Sequence, residues 1–266
     1  MNLRMPFQEL GLTEDITNKL AEMDIVMPTT VQAKAIPAVL KGLNLLIQSP
    51  TGTGKTLAYL APLADKLDLS SKELQVIILV PSRELATQVV GVAKSFSAGI
   101  RVATLIGGAN LTRQLEALKQ KPLLAVGTPG RVLELIQKKK INGQSIKTIV
   151  IDEADKMFSA GFLEDVRDIL KATLKTRQVL FISATLPKQL QETVSGLIPS
   201  AQFINAGEEG RVPPTITHIY FMCSKEQKIR TLARLIKLYK PNKALVFIQR
   251  NEGVASLEKR LKDLGV

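Results

Sequence analysis

The segment SPTGTGKT, Ser49 to Thr56, combines glycines, hydroxyls and one lysine at a spacing suited to holding a triphosphate. Gly52 and Gly54 allow backbone N–H groups to turn inward, with Ser49, Pro50, Thr51 and Thr53 completing the loop around the phosphates. Lys55 can reach the terminal phosphates, and Thr56 can ligate Mg²⁺ at the positive end of a following helix. The strict phosphate-loop pattern has a glycine where Ser49 stands. The same residues could form a Gly-rich turn that merely caps a helix. The apolar run LLIQ before them and LAYLAPLADKL after them instead supply the strand-loop-helix setting that a phosphate loop requires.

A second group follows TIVI, Thr148 to Ile151, where Asp152, Glu153 and Asp155 lie at the expected end of a strand. A carboxylate leaving such a strand can hold Mg²⁺ through water, which suits Asp152, and its neighbour Glu153 can orient or deprotonate an attacking water. Alone, the four residues would equally serve as an acidic helix start complementing the helix dipole. Their chemical meaning comes from pairing with the loop that holds Lys55.

These groups need a scaffold, and the apolar pattern specifies one. Short runs at Leu45, Val76, Val102, Leu123, Thr148 and Val179 are apolar on successive residues, as in strands covered on both faces. Amphipathic stretches such as Arg83 to Ser95, Leu111 to Lys119 and Glu164 to Leu174 are long enough for crossover helices. The expected fold is a doubly wound parallel α/β sheet, which presents its loops along the carboxyl edge of the strands. Residues 207–214, rich in Gly, Pro and charge, read as a linker between a domain at 1–206 and a second, incomplete α/β series at 215–266. That series has expected strands HIYFM and KALVFI and helices Lys225 to Tyr239 and Val254 to Leu264.

The composition narrows the function classes. The chain has 266 residues, 45% hydrophobic and 23% charged, which is enough apolar material for a sizeable core. Its apolar runs are far short of the roughly 20 residues that span a bilayer, and the N-terminus lacks a secretory pattern. Neither membrane insertion nor export is expected, and the cytoplasm is the expected location. One cysteine, Cys223, permits no internal disulfide and no cysteine metal cluster, and packing is its expected role. A formal charge of +12 favours a polyanionic partner at some surface. The run Lys138 to Lys140 reads as a solvated helix end, and the single histidine, His218, is given no catalytic role.

Taken in order, the motifs resemble the DEAD-box helicases of superfamily 2, along essentially the whole chain. PTTVQ, Pro28 to Gln32, resembles the Q motif, with Phe7 as its isolated upstream aromatic, and SPTGTGKT resembles motif I. PSREL at Pro81, the Gly107-Gly108 doublet and TPGR at Thr128 resemble the segments that track RNA. DEAD at Asp152 and SAT at Ser183 resemble motifs II and III, and ALVFI at Ala244 resembles motif IV. The resemblance implies a RecA-like P-loop fold with a partial second RecA-like domain, an ATP site with Mg²⁺, and RNA as the partner of a monomeric protein. It implies that Gln32 reads the adenine edge, with Phe7 buttressing that pocket. Pro81, Arg83, Gly107, Gly108, Thr128, Pro129, Gly130 and Arg131 would then contact the RNA backbone without reading sequence. Ser183 and Thr185 would bond the motif II carboxylates and couple the two ligands. One departure lies at Asp24-Ile25, where the family has Gly-aromatic, so stacking of Ile25 on adenine should be weak or absent.

In the family, arginines from the last motif of the second domain stabilise the transferring phosphoryl group, and Arg250 and Arg260 do not lie in that setting. Weak ATP·Mg binding, slow hydrolysis and no unwinding by these 266 residues alone are therefore expected. Two other readings share some of the motifs, a non-catalytic ATP-gated RNA clamp or annealing module and a P-loop kinase or metabolic ATPase. Glu153 argues against the first. The SAT segment and the second α/β series argue against the other.

Overall fold

The computed structural model describes residues 6–96, 99–207, 216–249 and 253–266. The chain divides into two compact units, Met1–Glu209 and Gly210–Val266. Of the expected linker only Gly207 lies among the described residues, and Arg250 lies outside them.

In the first unit, seven strands form one sheet: β1 (Leu45–Gln48), β2 (Val76–Leu79), β3 (Val102–Leu105), β4 (Leu124–Gly127), β5 (Thr148–Ile151), β6 (Gln178–Ser183) and β7 (Gln202–Asn205). Their spatial order is β3-β4-β2-β5-β6-β1-β7, and every pairing is parallel. The unbroken apolar runs of the central strands follow from this, because alternate side chains enter different cores. Leu45, Ile47, Ile78, Val126, Val150 and Leu180 enter one cluster, while Leu46, Ile77, Ala125, Ile149 and Phe181 enter the other. The first cluster is capped by α1 (Glu14–Glu22), α2 (Thr30–Leu40), α3 (Lys55–Lys66) and α4 (Arg83–Phe96). The second is covered largely by α6 (Pro129–Gln137), α7 (Ala154–Ser159), α8 (Leu163–Lys171) and α9 (Lys188–Leu197), with α5 (Leu111–Lys119) at its margin.

Strand β7 does not stand out in the sequence. It is an edge strand that pairs only with β1, its residues are mostly exposed, and QFIN carries little apolar signal. The all-parallel arrangement places every strand's carboxyl end on one edge, so the loops after β1 to β6 open onto the same side. A topological switch lies between the neighbours β1 and β6. The helix after β1, α3, packs into the first core, whereas α9, after β6, packs into the second. Such a switch leaves a crevice between diverging loops.

The second unit departs from expectation. Helices α10 (Lys228–Tyr239) and α11 (Val254–Asp263) form. The segments HIYFM and KALVFI, expected as strands, have no ladder, and Tyr220, Met222, Leu245 and Phe247 are exposed. The pattern favours strands, but two strands without further partners are marginally stable at best in water. His218 is exposed and Cys223 half-buried with a free thiol. Among the described residues, no helix is long and apolar enough to cross a membrane.

Candidate active site and nucleic-acid groove

The loop after β1 is held by its own hydroxyls and by its neighbour across the switch. Ser49 is fully buried; its N–H donates to the Ser183 carbonyl at 3.1 Å, and its hydroxyl lies 2.7 Å from that of Thr53. Serine in place of the expected glycine therefore has a structural task. Thr53 donates to the Pro50 carbonyl at 2.7 Å, while Pro50 and Thr51 stay exposed at the loop tip. Gly52 and Gly54 have φ of 82° and 88°, left-handed values that fit the inward turn of the amides.

Lys55 opens α3 and donates to the Ser49 carbonyl at 2.7 Å. Burial lowers its ammonium below the ordinary lysine value, and the carboxylates of Asp152, Asp155 and Glu153 pull the other way. The lysine and the acids thus meet at one place, the crevice of the switch.

Asp152 is 3% exposed at the end of β5. Its Oδ2 accepts from the Tyr59 phenol at 2.7 Å and its Oδ1 from the Glu153 N–H at 2.9 Å. Burial raises its carboxyl above the ordinary value despite these bonds and the Lys55 charge. Glu153 adopts φ 52° and ψ 49°, a strained conformation for a non-glycine residue, and its carboxylate pairs with Lys156 at 2.9 Å.

The SAT residues meet the acid loop at Asp155. Thr185 donates its hydroxyl and its N–H to Asp155 Oδ2, at 2.7 and 3.0 Å. The Ser183 hydroxyl accepts from the Asp155 N–H at 3.1 Å and donates to the Thr185 carbonyl at 2.7 Å. The link from β6 to the acid loop therefore runs through Asp155, the last of the motif II carboxylates. Burial raises the Asp155 carboxyl, but the Thr185 and Ser183 bonds more than offset it and leave the group below its usual value.

Gln32 is 2% exposed, and its amide is occupied within the protein. Its Oε1 accepts from the Thr29 N–H at 2.9 Å, capping α2, and its Nε2 donates to the Gly54 carbonyl at 3.1 Å. Gln32 thus ties α2 to the phosphate loop. Phe7 is buried in the same core as α2, and Ile25 packs against that core half-buried, one residue after Asp24 in a left-handed turn.

The remaining loops, after β2, β3 and β4, line a separate groove of about 610 Å³ on the same edge. Pro81, Arg83, Gly107, Gly108, Thr128, Gly130 and Arg131 all face it, joined by Phe162. Pro129 does not line the groove and is buried at the start of α6. The Gly107 N–H donates to the Thr128 hydroxyl at 3.1 Å, and Arg83 lies against Gly108 so closely that a Cβ there would meet its guanidinium at 2.0 Å.

Arg131 has a side chain only 10% exposed. Its Nε is 3.0 Å from Glu134 Oε2 but out of line for a hydrogen bond, so Nε and Nη1 have no hydrogen-bond partner among the described residues. A buried guanidinium with unused donors beside a groove fits an anionic ligand. Arg131→Ala is expected to weaken single-stranded RNA binding about tenfold, the loss of one charge-assisted contact of roughly 1.5 kcal/mol. It should also reduce the slope of log affinity against log salt by about 0.7. Fluorescence anisotropy at several salt concentrations checks both, and an unchanged slope would remove Arg131 from the groove's phosphate contacts.

A seven-stranded parallel sheet, a glycine-lysine-threonine loop at its switch point and an acidic strand end beside it define a P-loop nucleotide-binding protein. Residues 29–193 match the family model for DEAD/DEAH box helicase. The chain belongs to the DEAD/DEAH box helicase family. It is 37% identical to RNA helicase CrhR of Synechocystis over 266 residues, 99% of this chain and 54% of the relative. It is 39% identical to the probable ATP-dependent RNA helicase YfmL of Bacillus subtilis over 84% of this chain and 59% of that one. The chain spans about half the length of the relatives it matches. Among solved structures, a DEAD box protein from the hyperthermophile Methanococcus jannaschii is similar with a TM-score of 0.74 and 31% identity, covering 99% of this chain and 72% of that one. S. cerevisiae Dbp5 bound to RNA and ADP BeF3 is similar with a TM-score of 0.83 and 26% identity, covering 97% of this chain and 67% of that one.

Proposed function

We propose that this chain is the ATP-binding core of an RNA-dependent ATPase that couples ATP binding and hydrolysis to RNA binding and local duplex unwinding. The observation that carries this is the shared edge. The loops after β1, β5 and β6 gather Lys55, Asp152, Glu153 and Thr185 in one crevice, and the loops after β2, β3 and β4 form the groove beside it. The likeness to Dbp5 bound to RNA and ADP BeF3 supports nucleotide and RNA as the two ligands, and the chemistry of the crevice and the groove assigns the first to nucleotide and the second to RNA. The protein would act as a cytoplasmic monomer, with 1–206 as its first RecA-like domain, 207–214 as linker and 215–266 as the start of a second.

The residues divide the work by chemistry. Backbone N–H groups of Gly52 to Thr56 and the Lys55 ammonium hold the phosphates. Asp152, through water, and the Thr56 hydroxyl offer the oxygen donors that Mg²⁺ takes when it fills its shell with phosphate and water oxygens. Bound there, the ion would offset charge developing on the phosphates. Glu153 orients the attacking water and accepts its proton. Gln32 would turn its amide to the adenine edge once nucleotide enters, at the cost of a bond it now makes to Gly54 or Thr29, and Ile25 would add little stacking. Asp155, held by Thr185, carries any shift of the β6 loop to the acids.

Phosphate release with and without RNA tests the proposal, together with binding of a fluorescent ADP derivative. Nucleotide binding and RNA-stimulated turnover in the complete protein are expected. A rate indifferent to RNA would favour a metabolic ATPase or kinase, and no nucleotide binding at millimolar concentration would overturn the assignment.

A further inference from the structure

We propose that Tyr59 is a positioning residue for the metal-holding acid, its phenol fixing the orientation in which the Asp152 carboxylate meets the magnesium ion of a bound nucleotide. The inference rests on the assignment of the crevice to nucleotide.

Tyr59 is fully buried in α3, one helical turn beyond Lys55 and Thr56. Phenylalanine would fill the same space without a hydroxyl to satisfy, and a buried hydroxyl without a partner costs about 1 to 3 kcal/mol. The phenol is instead spent on Asp152 Oδ2, at 2.7 Å. The last torsion of an aspartate side chain is broad, so one donor leaves the carboxylate free to swing. Here two donors from different elements fix it, the phenol on α3 and the Glu153 N–H at the end of β5. Each oxygen retains lone pairs for water in the crevice. Tyr59 therefore ties the acid to the helix that carries Lys55 and Thr56.

Tyr59→Phe tests this with a readout that packing alone does not move. Affinity for a fluorescent ADP derivative is measured across a magnesium titration and again in EDTA. The magnesium concentration needed for half its effect is expected to rise about tenfold, the lower end of what removing a partner of a metal ligand costs. Affinity in EDTA should be unchanged. The ratio of the two affinities is read on folded protein, so a lower melting temperature does not obscure it. The double variant Tyr59→Phe with Asp152→Asn should show no further loss beyond Asp152→Asn, because Tyr59 acts through that carboxylate. An unchanged magnesium requirement, an equal loss with and without magnesium, or additive effects in the double variant would each overturn the proposal. Failure of the parent protein to bind nucleotide under any condition would instead overturn the assignment of the site, and this inference with it.

Discussion

Replacing Glu153 with glutamine should lower RNA-stimulated ATP turnover by roughly 10² to 10⁴-fold, the usual contribution of a general base, while ATP and RNA stay bound. The substitution keeps the size of the side chain and its place at the start of α7, and removes only the negative charge and the ability to accept a proton. Glu153 is held for such a task. It stands two residues beyond β5, its backbone is in the left-handed region at φ 52°, and its carboxylate is turned to Lys156 at 2.9 Å. A strained backbone at an acid beside a phosphate loop is the kind of local cost that a fold retains where chemistry requires it. Phosphate release under saturating ATP and RNA reads the rate, and anisotropy with labelled RNA reads retention. Turnover equal to the parent's would show that another group activates water. A complete protein that binds both ligands and hydrolyses nothing would point to an ATP-gated clamp.

The parts of this site that were legible in the sequence are those in which one residue type has one use. A lysine and a threonine after two glycines, with a strand before and a helix after, can be placed without knowing any contact, and so can acids at a strand's end. The sheet was legible for the same reason, since runs such as VIIL and TIVI must be covered on both faces. Other parts depend on pairings that spacing does not encode. Tyr59 looks like a core aromatic until the phenol is seen to reach a residue 93 positions away. The bond between Asp155 and Thr185 was legible only through the family resemblance, because it crosses from β5 to β6 and depends on strand order. Strand β7 was hidden because an edge strand needs little apolar character. The expected strands HIYFM and KALVFI failed for the opposite reason: their pattern was right, but no ladder satisfies their backbone.

The bonds around Asp155 bear on how two ligands on one edge could affect each other. Thr185 grips the Asp155 carboxylate, Ser183 holds its N–H, and the Ser183 carbonyl accepts from Ser49 in the phosphate loop. Loops after β1, β5 and β6 are therefore joined by hydrogen bonds rather than packed side by side. A displacement of the phosphate loop must break one of these bonds or carry the acid loop with it. Coupling that runs through such a contiguous network needs at least two arrangements of it to be populated.

Gly54→Ala should cost about 10²-fold in nucleotide affinity, because it strikes this network at the point where three elements meet. The φ of 88° is one that an L side chain rarely adopts, at roughly 1 to 2 kcal/mol. Space is also absent, since an added Cβ would stand 2.4 Å from Gln32 Nε2, the atom that donates to the Gly54 carbonyl. Gln32 moves aside only by giving up a bond, because its other amide atom caps α2 through Thr29. The alanine must then push the loop off Gln32 or free Gln32 from the helix cap, and either motion misaligns the amides that face the phosphates. Misplacing one or two charge-assisted hydrogen bonds is worth about 3 kcal/mol, which corresponds to the stated loss. Gln32→Ala alone loses the amide proposed to meet adenine, so the double variant is read against that single variant: Gly54→Ala should cost less in the Gln32→Ala background than in the parent, by the share the clash causes, while the cost of the backbone strain remains. Calorimetric titration with ADP and magnesium on the parent, both single variants and the double variant separates the two causes. A double variant equal to Gln32→Ala alone would mean that the left-handed turn costs nothing, and no loss in Gly54→Ala would mean that the phosphate loop does not use this conformation to bind.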